Sequence, residues 1–537
     1  MLIADTLRAR RLAILVWIVA GIGFMVVIGY GYLEELETYP GGAAAMGAAL
    51  EAAAQAMRLL RWPAERLDTF GGYITYHNLT VVALALGIWG SIQGARMVRG
   101  PRAEGQLEWI VAAGCSRRRI LADQVAGWVI TLAVVTGGIG LGLAIATAVA
   151  GAFDVSGSMI AMTSAGLAAL ACFGLGLATA QLVGTARSAA GLSVAAITGL
   201  YLLTNVWEEL GWLGGLRFLS PFYYSNQSRV LVPGESTDLT AMAALVAMAA
   251  AAVGLAMWGF SKRDLRAPLW RLRPRAGAAI TRHRAVPRSY WWSESSRHRV
   301  GLVAWSLSTA FVTGLMAWLE PVVVEVWDEL GFSEFLSAAG SGASVADQYL
   351  SFASQLVAAV VAGYAITQTA GWVAEIGDGR VEVFLSHPVS WQRLIVQRLA
   401  VSSVGVLVIA TSAAAGLVLG AAAVDVPLNL TGLLRTIPIT FVLGLAILGL
   451  GAILVAWMPT TTSVILLSAV AFASYLLAFV IPLFDLPHWT MNLSLVGAYG
   501  QPYLEPPAAG GLLHLTGLAL AGGIVAPRLA ERHPRVA

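Results

Sequence analysis

The chain has 537 residues, 58% hydrophobic and 12% charged, with mean hydropathy +0.75 and a formal net charge of +3. A soluble globular chain carries about 25% charge, so this composition excludes a soluble or a disordered protein; the 58 Gly follow no three-residue period, which excludes a collagen-like fibre. The apolar runs are long and continuous rather than short and alternating, which excludes a β-barrel and leaves an all-α polytopic membrane protein.

A helix needs about 20 mostly apolar residues to cross the hydrocarbon core. In chain order such stretches fall near 12–30, 79–98, 124–150, 159–184, 188–206 and 239–260, then near 300–319, 350–373, 399–421, 433–457, 462–484 and 510–530. The pattern predicts twelve transmembrane helices in two six-helix halves, 1–260 and 300–537, joined by a basic linker, 261–299. The first run follows Arg8, Arg10 and Arg11 and ends in Tyr30, Tyr32, Glu34 and Glu35, not in a small-residue cleavage site. It therefore reads as a retained span. The outer loop 31–78 is long; a helix is expected over 43–60, amphipathic at 57–62, as an interfacial cap or gate. The linker holds eleven Lys and Arg against Asp264 and Glu294, and reads as a cytoplasmic segment resting on anionic headgroups rather than a nucleic-acid patch. With the N-terminus inside, 27 of the 33 basic residues fall on the cytoplasmic side. That asymmetry places both termini of a multi-pass bacterial plasma-membrane protein in the cytoplasm.

The halves repeat. At one constant offset Gly105 lies over Gly379, Glu108 over Glu382, Ser116 over Ser390 and Arg119 over Arg393, and later Leu219-Ser220 lies over Leu493-Ser494. An even number of spans per half gives both copies one orientation, hence a parallel pseudo-two-fold along the membrane normal with a pathway between the halves. The duplicated loops, near 99–123 and 374–397, link the second and third spans of their halves. Each reads as a short amphipathic helix with acid at its start, a breaker (Gly114 or Pro388), then Ser116 or Ser390 as N-cap of the next span. A cytoplasmic elbow kept twice suggests a partner that docks twice.

This pattern resembles the coupling loop of type-2 ABC exporter permeases, in particular the fused two-half actinobacterial exporters of polyketide antibiotics, the tetronasin type. Trp62-Pro63, Leu67-Asp68-Thr69 and Gly71-Gly72-Tyr73 in the first outer loop, and Leu219-Ser220-Pro221-Phe222, add to the likeness. The second half lacks the Gly-Gly pair and has Leu495 in place of Pro221. The resemblance implies two copies of a separate ABC ATPase, a homodimer carrying ATP and Mg, docking on Glu104, Gly105, Glu108, Arg117 and Arg118 in half one and on Glu375, Asp378, Gly379, Glu382 and Arg393 in half two. It also implies export of a hydrophobic compound: an antibiotic, a drug or a lipid.

The residues themselves agree with a separate motor. The sole Lys, Lys262, lies between Ser261 and Arg263, so no Walker A loop exists in the chain. The alternative is an ion-coupled twelve-span transporter, which places ionisable residues in mid-membrane. Asp123, Arg187 and Arg435 all fall at predicted span ends, and no carboxylate is expected inside the bundle. Two cysteines, Cys115 and Cys172, and seven dispersed His offer no metal cluster, and neither H-E-x-x-H nor G-x-S-x-G occurs. No enzymatic activity and no cofactor are expected in this chain. Polar and aromatic residues at helical spacing are candidates for a substrate pathway: Trp89 and Gln93 in the second span, Tyr201 and Asn205 in the fifth, Tyr364, Gln368 and Trp372 in the eighth, Tyr475 in the eleventh. Helix packing is the competing role for each.

Overall fold

The structure, a computed structural model, describes residues 2–39, 41–56, 64–103, 116–182, 186–206, 211–262, 290–329, 344–377, 379–386, 389–483 and 487–532. Every regular element among them is helical. The chain divides into two compact units, Met1–Thr281 and Arg282–Ala537.

The first unit opens with α1 (Leu2–Thr38) and α2 (Gly42–Ala56). Next, α3 (Phe70–Ile74) runs through a π turn (Thr75–Leu79) into α4 (Thr80–Ala103). Then come α5 (Arg117–Val149), α6 (Val155–Leu182), α7 (Ala186–Val206), a 3₁₀ segment (Gly211–Leu219), α8 (Pro221–Ser225) and α9 (Leu239–Lys262). The second unit has α10 (Tyr290–Glu329), α11 (Val345–Gly377), α12 (Arg380–Leu385), α13 (Trp391–Ala422), α14 (Leu430–Trp457), α15 (Thr461–Leu483), a 3₁₀ segment (His488–Leu493), α16 (Leu495–Tyr499) and α17 (Ala509–Arg532). Among the described residues eleven helices are long and apolar enough to cross a bilayer. The fifth expected span falls on α7, whose apolar stretch Ala189–Asn205 is shorter than the others.

The two units pack the same way. In the first, α1 lies on α5, α4 on α6 and α7, and α6 on α9; in the second, α10 lies on α13, α11 on α14 and α15, and α14 on α17. Helices in lipid associate by close packing rather than by burial of apolar surface, so small residues mark their crossings. A side chain at Gly142 would meet the α1 backbone at Ile22, and one at Gly416, its counterpart in the repeat, the α10 backbone at Ala310. Large apolar side chains turned away from the packing, such as Leu15, Val19, Leu307 and Phe311, are exposed, as a lipid-facing surface requires.

The second span begins well before its hydropathy suggests, at Phe70 instead of 79. With α1 reaching Thr38 and α2 covering Gly42–Ala56, much of the expected outer loop is helix. The Gly71-Gly72 pair, which reads as a loop signal, sits inside α3 because there is no room for anything larger. A Cβ at Gly71 would collide with the Leu231 carbonyl, and one at Gly72 with the Arg66 carbonyl. Thr69 caps this helix by accepting from the Gly72 amide at 3.2 Å. Leu67 is fully buried beside it. Arg66, at φ 52°, chelates Asp68 through Nε and Nη2 at 2.9 and 3.1 Å, which holds the Asp68 carboxyl below its ordinary pKa. Of the expected elements, 57–63 and the linker stretch 263–289 lie outside the described residues.

Candidate functional site

More of the elbow is described in the second unit than in the first. Helix α11 ends at Gly377, and Gly379 takes φ +68°, a conformation that favours glycine. The Gly379 amide donates to the Ile376 carbonyl at 3.1 Å, and its own carbonyl accepts from the Glu382 amide at 3.2 Å. This turn starts α12, whose Val381 is buried while Glu382 is exposed. Ser390 then accepts from the Arg393 amide at 3.3 Å and opens α13, with the Arg393 side chain exposed. In the first unit Ser116 accepts from the Arg119 amide, also at 3.3 Å, and opens α5, with Arg118 and Arg119 exposed. Both N-caps thus form as the repeat predicts, each followed by an exposed guanidinium. Glu104, Gly105, Glu108 and Asp378 lie outside the described residues, as does the Arg117 side chain.

Glu375 stands apart from the other docking candidates. It is buried and ion-paired with Arg398 of α13, which is also buried. The pair ties the end of α11 to the first turns of α13, across the elbow. Arg398 lines a cleft with Trp372, Ile376, Trp391, Leu394 and Val455. Glu320, near the end of a span in α10, is also buried. The expectation that no carboxylate lies inside the bundle is therefore corrected. Glu375 counts as charged loop in the sequence because Gly377 and Gly379 follow it, yet α11 carries it inward.

The pathway candidates are built into packing within their own units. Trp89 packs on Trp17 at 5.0 Å and edge-on to Trp128 at 4.6 Å between ring centroids, and Trp128 stacks on Phe173 at 5.3 Å. The Arg10 guanidinium sits 5.1 Å from the Trp128 centroid, a cation–π arrangement. Gln93, one turn beyond Trp89, is half-buried. Tyr201 meets Phe222 edge-on at 5.5 Å, and Asn205 is buried. In the second unit Tyr364, Gln368 and Trp372 do form one buried stripe along α11. Tyr364 meets Trp305 edge-on at 6.3 Å and its hydroxyl fills the gap that Gly405 leaves on α13. Trp372 lines the cleft beside Arg398. Tyr475 is half-buried on α15.

Sequence reasoning missed the aromatic ladder through Trp17, Trp128 and Phe173 and the Glu375–Arg398 pair. Each joins residues from different helices. The sequence signal for the pair was opposite charge on either side of the elbow, which Asp378, Glu382 and Arg393 share. No group of His, Cys, Asp and Glu among the described residues could hold a metal ion.

The family described as multidrug efflux system permease Rv1217c, C-terminal domain, matches residues 3–261 and 295–527 of the chain. No curated protein matches it.

Proposed function

The chain belongs to this multidrug efflux permease family, and from that premise we propose that it is the membrane-spanning subunit of an ATP-driven ABC exporter, fused from two halves, which moves a hydrophobic compound out of the cell. Two copies of a separate ATPase bind the elbows at 99–123 and 374–397, and their closure on ATP rocks the halves about a parallel pseudo-two-fold. The termini, the linker and both elbows face the cytoplasm of a bacterial cell.

One observation carries this reading: two N-caps at matched positions of the repeat, Ser116 and Ser390, each with an exposed guanidinium in the first helical turn that follows, in a chain without a Walker A loop. Carboxylates such as Glu382 and guanidiniums such as Arg393 supply the polar, exposed face on which a partner can push. In the second half the Glu375–Arg398 pair ties together the two helices that flank the elbow.

The test is a search of the adjoining genes for an ABC ATPase with a Walker A motif and its co-purification with the full chain, followed by ATP hydrolysis with and without a lipophilic compound. Reversal of Glu108 and Glu382 together, to Lys, is expected to abolish stimulated hydrolysis while the chain still inserts and folds. Unchanged hydrolysis and transport in that double variant would overturn the docking assignment. The buried Glu320 and Glu375 favour a second reading, ion coupling. Collapse of the proton gradient with ATP held constant separates the two: an ATP-driven exporter keeps working.

A further inference from the structure

At the end of the first unit away from its elbow lies a small polar cleft. Its walls are the loop before α3 (Glu65), the π turn (Thr75, Tyr76) and the turn after α8 (Asn226, Arg229). Irregular helical turns of this kind recur at functional sites in helices.

Two features give the cleft its chemistry. First, Thr75 Oγ1 and Asn226 Nδ2 are buried and meet no protein hydrogen-bond partner. Buried polar groups left in this state are costly. Second, the Arg229 guanidinium pairs with Glu65 and its Nε donates to the Asn226 carbonyl at 3.1 Å. The two ends of this ion pair are unequal: the Arg229 side chain is 11% exposed and that of Glu65 is 46% exposed. Glu65 is half-exposed and can swing into water at little cost, whereas Arg229 stays buried and loses that ion pair. An anion is the group suited to replace Glu65 there, and it meets a hydroxyl and an amide already in want of an acceptor. A planar carboxylate suits both, since a guanidinium fork accepts it in two parallel hydrogen bonds. The enclosed space is small and, once the Glu65 carboxylate has left it, takes a head group, not a whole molecule.

We propose that this cleft is a binding subsite for the carboxylate end of a lipophilic compound, in which Glu65 occupies Arg229 until the ligand carboxylate displaces it. The inference deepens the export reading and rests on it for direction: the cleft then lies on the outer side, where cargo leaves. Binding itself involves no ATP.

The test uses the full chain alone in nanodiscs, with dansyl-labelled undecanoate and its methyl ester as probes and empty nanodiscs as blank. The carboxylate is expected to bind about tenfold tighter than the ester, the ratio for one charge-assisted hydrogen bond of ordinary strength. Asn226→Ala is expected to weaken the carboxylate about fivefold, and Glu65→Gln to tighten it severalfold by removing the competing anion. Thr75→Val, which keeps the shape of the side chain, carries the same test should Asn226→Ala fail to fold. Equal binding of acid and ester, or a Glu65→Gln variant that binds no tighter, overturns the subsite. Loss of ATP dependence with these ratios intact would instead overturn the ABC reading and leave the cleft standing.

Discussion

Ser220 in the first unit and Ser494 in the second, equivalent positions of the repeat, do the same work. Each opens a five-residue helix, α8 or α16, and each turns its hydroxyl back to a carbonyl on the preceding long helix: Leu200 at 2.9 Å and Ser474 at 2.6 Å. Those two carbonyls are themselves equivalent under the same offset. Around this shared joint the units diverge. Each capping Ser also meets a second hydroxyl, Thr204 at 2.5 Å from Ser220 and Ser474 at 3.2 Å from Ser494, but the first unit adds the close approach of Gly71 to Leu231. The second instead uses Arg435, which donates to the Pro502 and Tyr503 carbonyls at 2.6 and 3.2 Å, and the Tyr503 hydroxyl, which accepts from the Asn429 amide at 3.1 Å. At the elbow end the imbalance reverses: Glu375 and Arg398 pair in the second unit, where the repeat puts Pro101 and Gln124 in the first. Duplication has preserved the capping hydroxyls and the helix pairings, which any such bundle needs, while charged groups have been redistributed. The halves share a scaffold and differ in where their charged groups sit.

The strongest way to break this comparison acts on the ion pair. Arg398→Ala leaves the Glu375 carboxylate buried without its partner and is expected to destabilise the chain by about 3–5 kcal/mol. Gln124→Ala, its counterpart in the first unit, is expected to cost under about 1 kcal/mol. Thermal unfolding of the solubilised chain, followed by tryptophan fluorescence, measures both. Replacing the pair together, Glu375→Gln with Arg398→Met, is expected to restore most of the loss; if it does not, the pair acts through something other than mutual neutralisation.

Next in size is Gly71→Ala. The added methyl would run into the Leu231 carbonyl, which belongs to a turn and not to a flexible side chain, so the expected cost is about 1–3 kcal/mol. Smaller and equal effects are expected at the shared joint: Ser220→Ala and Ser494→Ala each lose a cap worth about 1 kcal/mol. A large inequality between these two would mean that their hydroxyl partners, Thr204 and Ser474, carry unequal parts of the load.

The sequence revealed what is local and periodic. Ser116 and Ser390 are recognisable as caps because a hydroxyl before an apolar run has few other uses. The Tyr364–Gln368–Trp372 stripe is recognisable because residues four apart share a helix face. What lay hidden is what tertiary approach decides. Gly71-Gly72 looks like a break until Leu231 arrives beside it. Glu375 looks like loop charge until Arg398, on another helix, meets it. The stripe itself was legible, but not the gap at Gly405 that admits the Tyr364 hydroxyl.

A last contrast sets one unit against the other under acid. Asp238 caps α9, accepting from the Thr240 and Ala241 amides, both at 2.9 Å, and from the Thr240 hydroxyl. The Thr240 hydroxyl and these amides stabilise the carboxylate and hold its pKa below the ordinary value of 3.8. The sign follows from linkage: a carboxyl whose folded pKa is depressed contributes stability at pH above its unfolded value and loses it as pH falls through the folded one. The corresponding helix, α17, begins after Pro506, Pro507 and Ala508, with no side-chain acceptor to protonate. Below about pH 4, set by the ordinary Asp value, the start of α9 is therefore expected to fray and that of α17 to hold. Hydrogen exchange at Thr240 and Ala241 against Leu512, corrected for the intrinsic pH dependence of exchange, reads the difference, and Asp238→Asn is expected to abolish most of it. Parallel fraying of both helices would mean that acid loosens the whole bundle and that this cap has no separate role.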